Sequence, residues 1–370
     1  MSSEYEAAGR RSRGQGPWKD VPAACWDDWR WQLSHRIVSA EQAGTLMELT
    51  PSERDFFARA NGRLPLSVTP HFFDRIDPAD PADPLRRQVF PRAWQLETAA
   101  DEKSDPLGEE RDSPVPALVH RYPDRVLLLA NSVCASHCRF CTRERFVAGT
   151  PPDWRQALDY IRAHGEIRDV LISGGDPLLL GDEKLAGLLE KLRGIAHVEF
   201  IRIGSRVPIF LPQRITPALV GIFKKYGPLY LSLHVNHPRE LSPETASALE
   251  QLAFAGTVFG SQTVLLRGVN DDAALLKKLF HRLLQLRVRP YYLYACDKVP
   301  GSAGWRVPVA RGIELMRSLR GWTSGYALPQ FVIDLPDGGG KVPVGSDYLQ
   351  EIADGGICRL RNFRGNDYFY

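Results

Sequence analysis

The chain has 370 residues, 44% of them apolar and 25% charged, a composition of an ordinary globular protein too long for one small core. Its 47 basic and 44 acidic side chains leave a net charge of +3, which argues against nucleic acid as the main partner. No run approaches 18 uncharged apolar residues, so no membrane span is expected, and six cysteines are too sparse for a disulfide scaffold.

The opening "MSSEYEAAGRRSRGQG" is polar and has no apolar run behind its charges. Residues 1–17 read as a disordered tail, and the protein is expected in the cytoplasm, where thiols stay reduced. From Trp18 to about Trp94 the pattern is helical: "WKDVPAACWDDWRWQLSHRI" holds four of the eight tryptophans, and Ser39 caps "AEQAGTLM". The prolines of "DPADPADPLRRQVFP" break any period, so residues 18–110 are expected to form a helical region with an extended connector.

The texture then changes. Apolar β-branched runs ("RVLLLAN", "DVLISGG", "HVEFIRIGS", "LYLSLHVN", "TVFGSQTVLL", "VRPYYLYACD") alternate with helical stretches such as "DWRQALDYIRAHG" and "DDAALLKKLFHRLLQL". Six strands with helical crossovers predict an α/β fold over 111–330, a partial (βα)6 barrel with a parallel sheet, followed by a short extension over 331–370. In such folds chemistry sits at the C-terminal ends of strands. Polar groups do stand there: Cys134 after the first strand, "SGGD" 173–176 after the second, "GSR" 204–206 after the third, His234 after the fourth, Gln262 in the fifth, and Asp297 after the sixth. Each of them singly reads equally well as an ordinary loop residue.

Cys134, Cys138 and Cys141 form C-x3-C-x2-C. A structural zinc site wants four ligands in separated pairs, and no fourth lies at the usual spacing, although His137 is inside the loop. Three thiolates on one loop suit a [4Fe–4S] cluster with one iron left open, whereas zinc or simple packing are the competing readings. Phe140 either shields such a cluster or fills a gap. "DLPDGGGKVPVG" fails the phosphate-loop pattern because Val342 follows Lys341, so that segment reads as a turn with an exposed lysine unless a cofactor claims it.

With the cysteine loop and "SGGD" in place, the chain resembles the radical S-adenosylmethionine superfamily, and within it the lysine 2,3-aminomutase family. "CRFCTRERF", "RIGSRVPIFLPQRIT", "LLRGVNDD", "RPYYLYACD" and "RGWTSGYALPQFVIDLPDGGGKVPV" carry the resemblance, which covers about residues 18–365. It implies that Cys134, Cys138 and Cys141 hold a [4Fe–4S] cluster whose open iron takes S-adenosyl-L-methionine. Ser173, Gly174, Gly175 and Asp176 would line the methionine end of that cofactor, with His234 and Gln262 nearby. Lys341 would bind pyridoxal 5'-phosphate through its amine, with Arg121 and Arg125 on the phosphate. Asp337 stands where the family more often has glycine, and would crowd the phosphate if it pointed inward.

Arg143 would clamp the substrate α-carboxylate, and Asp297 and Asp334 would hold a side-chain ammonium. Two converging carboxylates make sense only around a cation. The implied reaction is a radical shift of the amino group of a free basic amino acid from C2 to C3. Lysine is the expected substrate and arginine the alternative. Methyl or sulfur transfer, or an iron–sulfur carrier, would leave Lys341 and the two aspartates without a role. An electron donor such as flavodoxin or ferredoxin and a homo-oligomeric state are implied as well. Clostridial-type members carry a zinc site, but here Asp272 occupies its first position and no cysteine-bearing tail follows, so no structural zinc is expected. Cys25, Cys296 and Cys358 read as ordinary partly buried thiols.

Overall fold

The computed structural model describes residues 16–60, 63–150, 152–345, 348–352 and 358–369. Most of the tail expected at 1–17 lies outside the described residues. The N-terminal region is helical in short pieces because capping residues recur. Ser39 accepts from Gln42 N–H to start the helix Ala40–Leu46. Thr50 and Glu53 form a reciprocal capping box on Pro51–Arg59. The proline-rich connector departs from the expected extended run. Pro84 begins the helix Pro84–Val89, with Asp83 accepting from the N–H groups of Leu85 and Arg86. Proline at the first helical position surrenders only an N–H that would have no partner there anyway.

A nine-stranded sheet follows in strict chain order. β1 (Leu118–Tyr122) and β2 (Arg125–Asn131) make an antiparallel hairpin. β3 (Asp169–Gly174), β4 (Phe200–Ser205), β5 (Leu229–His234), β6 (Val258–Leu265), β7 (Arg289–Ala295) and β8 (Gln330–Leu335) then add in parallel. β9 (Gly340–Pro343) returns antiparallel to β8. The parallel strands therefore number seven, β2 to β8, rather than the six expected. The seventh, "FVIDLP", reads alone as a short terminal run, and the crossover helix Val309–Leu319 delivers it to the sheet beside β7. A separate antiparallel sheet of β10 (Leu349–Ile352), β11 (Cys358–Arg361) and β12 (Asp367–Phe369) ends the chain.

The sheet curls until its edges meet: Lys341 N–H of β9 donates to Tyr122 Oη of β1 at 2.8 Å. Alternation along each strand separates two environments. Val170 and Ile172 of β3, Leu229 and Leu233 of β5, and Leu293 of β7 are buried in the main apolar core with the crossover helices. The alternate residues, among them Asp169 and Ser173, Tyr230 and His234, Gly260 and Gln262, Tyr292 and Tyr294, line a cavity of about 910 Å³. Parallel barrels normally fill that interior with branched aliphatic side chains. Here polar, aromatic and glycine residues share it with aliphatic ones such as Leu127, Leu171 and Val264, and the barrel stays hollow.

Candidate active site

The cavity wall includes all three motif cysteines and the twelve other residues expected to bind a cofactor or substrate: Arg121, Arg125, Arg143, Ser173, Gly174, Gly175, Asp176, His234, Gln262, Asp297, Asp334 and Lys341. They divide into a thiol end and a carboxylate end.

At the thiol end, the loop after β2 carries Cys134, Cys138 and Cys141. Burial pushes all three thiols up, Cys141 to about 12, and repulsion between the sulfurs adds to this for Cys134 and Cys141. Arg206 pulls Cys138 the other way, its Nη1 donating to the Cys138 sulfur at 2.8 Å. Among the described residues no group of His, Cys, Asp and Glu side chains stands as a single-ion site. Three half-buried cysteines on one loop, whose sulfurs would repel one another as thiolates, are nevertheless a donor set that suits a polycation, as an iron–sulfur cluster provides. His234 supports the same fit. Burial and then the Arg206 charge hold its imidazole well below the ordinary histidine range, and its buried Nε2 has no protein partner beside the cavity. Phe140 is buried between His234 and Trp305, ring centroids 5.8 and 6.2 Å away.

The "SGGD" segment holds this end together. A side chain at Gly174 or Gly175 would collide with the backbone of Asn131 or Val133, which lead into the cysteine loop. Asp176 is buried, and its carboxylate accepts from Ser205 Oγ at 2.8 Å, Arg206 N–H at 2.7 Å, Val207 N–H at 3.0 Å and Leu178 N–H at 3.1 Å. That carboxylate is spent on joining the ends of β3 and β4.

Arg143 sits between the two ends. Its guanidinium makes a fork with Glu109, Nε–Oε1 3.0 Å and Nη2–Oε1 2.7 Å. Burial would raise the Glu109 carboxyl, but Arg143 and Arg145 overcome this and hold it below the ordinary range.

The carboxylate end is differently made. Asp297 follows β7, and Thr142, between Cys141 and Arg143, donates its hydroxyl to Oδ2 at 2.6 Å. Burial, with a contribution from Asp334, raises Asp297 to about 6. Asp334 on β8 lies directly across from Lys341 on β9, and Lys341 Nζ donates to its Oδ2 at 2.7 Å. Its Oδ1 has no hydrogen bond, and Arg121 Nη1 is 4.0 Å away. Tyr294 places its ring centroid 5.9 Å from Lys341 Nζ. Arg121 is already engaged with Asp112 at 2.8 Å and with Leu107 O, whereas Arg125 stacks on Tyr122 at 3.8 Å. Lys341, Arg121 and Arg125 thus all line the cavity near the seam of the barrel. An amine, two guanidiniums and aromatic walls are a donor set that suits an aromatic aldehyde phosphate.

Asp337 points outward: it is exposed, at φ +52°, and pairs with Lys103 at 2.8 Å. The glycines beside it serve the turn itself, since a side chain on Gly338 would collide with the Arg111 guanidinium. Asp272 caps the helix Ala273–Gln285 by accepting from Leu275 N–H. The loop after Asp297 is pinned by the connector. Buried Glu102 accepts from Gly301 N–H at 2.9 Å and Arg306 Nη2 at 3.0 Å.

Sequence reasoning passed over Glu109, Thr142 and Glu102, and met Arg206 only as part of "GSR" at a strand end. Thr142 and Arg206 were readable as polar neighbours of motif residues; Glu109 and Glu102 lie in a charged connector where nothing marks them.

Comparison with known proteins gives the family. A family model described as lysine-2,3-aminomutase matches residues 316–370, and one described as the radical SAM superfamily matches 130–275. An L-lysine 2,3-aminomutase of Clostridium subterminale is 49% identical over 94% of this chain and 84% of its own length. One of Acetoanaerobium sticklandii is 49% identical, over 92% and 83%. A glutamate 2,3-aminomutase of Clostridioides difficile is 38% identical, over 88% and 78%.

Proposed function

Because the chain belongs to the lysine 2,3-aminomutase family of the radical SAM superfamily, we propose that it is an L-lysine 2,3-aminomutase, moving the amino group of free L-lysine from C2 to C3 to give β-lysine. The observation that carries the choice of substrate is the pair of buried carboxylates, Asp297 and Asp334, in one cavity with Arg143. A zwitterion with a cationic tail offers each of them a partner of opposite charge. Glutamate would bring a third carboxylate to that end.

Cys134, Cys138 and Cys141 would hold a [4Fe–4S] cluster with S-adenosyl-L-methionine beside His234 and Gln262, and Lys341, Arg121 and Arg125 would hold pyridoxal 5'-phosphate. Together these groups supply a hydrogen-abstracting radical and a carbon that carries the nitrogen during its move. The protein's own residues bind and orient. Arg143 takes the α-carboxylate, using guanidinium surface beyond the edge held by Glu109. Asp297 and Asp334 fix the ε-ammonium, which sets C3 in place, and about an ångström of error there is expensive. Lys341 occupies Asp334 in this structure. When its amine is engaged elsewhere, Asp334 is released to the substrate cation. Tyr292, Tyr294 and Phe140 wall the cavity against water. Reduced thiols fit the cytoplasm, an external one-electron donor of flavodoxin or ferredoxin type fits the same reading, and so does a homo-oligomer.

The test is an anaerobic competition: the reconstituted chain with pyridoxal phosphate, S-adenosylmethionine, a reductant and equimolar lysine, arginine, ornithine and glutamate. β-Lysine as the dominant product by mass supports the proposal. A dominant β-arginine or β-glutamate replaces the substrate, and no β-amino acid at all removes the reaction.

A further inference from the structure

Arg206 is the first residue after β4, and its side chain crosses the barrel mouth to the cysteine loop. Nη1 donates to the Cys138 sulfur at 2.8 Å, while Nη2 donates to Gln88 Oε1 and, at 2.9 Å, to Glu240 Oε2. The side chain is 5% exposed and Glu240 is fully buried. Phe210 lies 4.3 Å beneath the guanidinium and Phe140 5.8 Å to its side. Its backbone is fixed too, because Arg206 N–H donates to Asp176. Glu240 has its own supports, accepting from Gln88 Nε2 at 2.9 Å and Asn236 N–H at 3.1 Å. Arg36, by contrast, reaches the loop at the Cys134 carbonyl, and Arg143 turns to Glu109. Among the described residues Arg206 is the arginine that donates to a motif sulfur.

A buried arginine is expensive unless paired, and Glu240 already pairs this one. A neutral thiol is a poor acceptor and gives little reason to aim a second edge of the fork at it. A metal-bound thiolate gives a strong reason, since it is an anion that keeps acceptor capacity on sulfur. Hydrogen bonds and positive charge at a ligand sulfur draw electron density from an iron–sulfur cluster and stabilise its reduced form. The Asp176 carboxylate, engaged with the Arg206 backbone, thereby acts at one remove on the same sulfur.

We propose that Arg206 is a positioning and charge-balancing residue of the iron–sulfur cluster, fixing the Cys138 sulfur and making the cluster easier to reduce, with Glu240 offsetting part of its charge. This rests on the reading of the three cysteines as cluster ligands. The step it governs is the uptake of one electron by the 2+ cluster to give the 1+ cluster. The electron comes from an external one-electron donor, no bond is made or broken, and no proton moves.

The measurement is an anaerobic redox titration of the reconstituted full chain, with dithionite as reductant and the 1+ state followed by electron paramagnetic resonance. Arg206→Gln removes charge and fork, and is expected to shift the reduction equilibrium about tenfold against the reduced form, about 59 mV for a one-electron couple. Arg206→Lys keeps the charge with a single donor and falls between Arg206→Gln and the wild type. Glu240→Gln removes the offsetting charge and shifts the other way. Opposite signs for the Arg206 and Glu240 variants support the proposal, because general loosening of the loop would not produce them. Unchanged potentials, or shifts of the same sign in both, overturn it while leaving the cluster intact. A wild type that assembles no reducible four-iron cluster overturns this proposal and the reading beneath it together.

Discussion

The two ends of the cavity handle buried negative charge in opposite ways. At the thiol end the counter-charge is built in and permanent: Arg206 is clamped by Glu240 and Gln88, and Asp176 is saturated by Ser205, Arg206, Val207 and Leu178. At the carboxylate end it is provisional. Asp334 has one lysine, which the proposed reaction would engage elsewhere, and Asp297 has a threonine hydroxyl. A site that keeps its group through many turnovers can invest in fixed partners. One that must take and release a cation each turnover has to leave its anions short of them, and burial beside Asp334 raises the pKa of Asp297.

Breaking the permanent end should have the largest effect. Cys141→Ala is expected to lose iron, measured by metal analysis, together with all detectable turnover. At the provisional end, Asp297→Asn should keep the cluster but reduce kcat/KM for lysine by about 10²-fold, the scale for losing one partner of a buried charge pair.

The contrast sharpens with pH. Asp297 titrates at about 6, above the ordinary 3.8, so it is ionised at neutral pH and becomes neutral as the pH falls through 6. Lysine kcat/KM should therefore fall about tenfold per pH unit below that point, and the Asn variant should lack this limb. The same shift acts on stability with a defined sign. Between about pH 4 and 6 the folded carboxyl keeps a proton that the unfolded chain releases, so raising pH through that window removes stability.

Glu109→Gln loosens the fork on Arg143 between the two ends. It should raise KM about tenfold with iron content unchanged. The smallest effect belongs to Asp337, whose pair with Lys103 is solvent-exposed. Asp337→Gly exchanges a surface ion pair for relief of a left-handed backbone, and stability by chemical denaturation should change by less than about 1 kcal/mol.

Legibility in the sequence follows the same division. The cysteine loop, "SGGD" and Lys341 are local, and six of the seven parallel strands announce themselves as β-branched runs. What stayed hidden are pairings between distant positions: Thr142 with Asp297, 155 residues on, Arg206 with Cys138, 68 residues back, and Arg143 with Glu109, 34 residues back. Single polar residues next to a motif carry no period, and curvature of the sheet is what brings them together. Asp337 teaches the converse. Its position in the glycine run is plain from sequence, but its outward direction depends on Lys103 in a connector that reads only as charged and proline-rich.

The most direct test of an end left short of a cation is a change in the substrate's tail alone. Lysine and norleucine differ by the ε-ammonium, and kcat/KM for each can be measured by β-amino product in the wild type and in Asp297→Asn. A wild-type preference for lysine of about 10²-fold or more, collapsing toward parity in the variant, is the expected result. Comparable turnover of norleucine by the wild type would mean that Asp297 and Asp334 do not select the substrate.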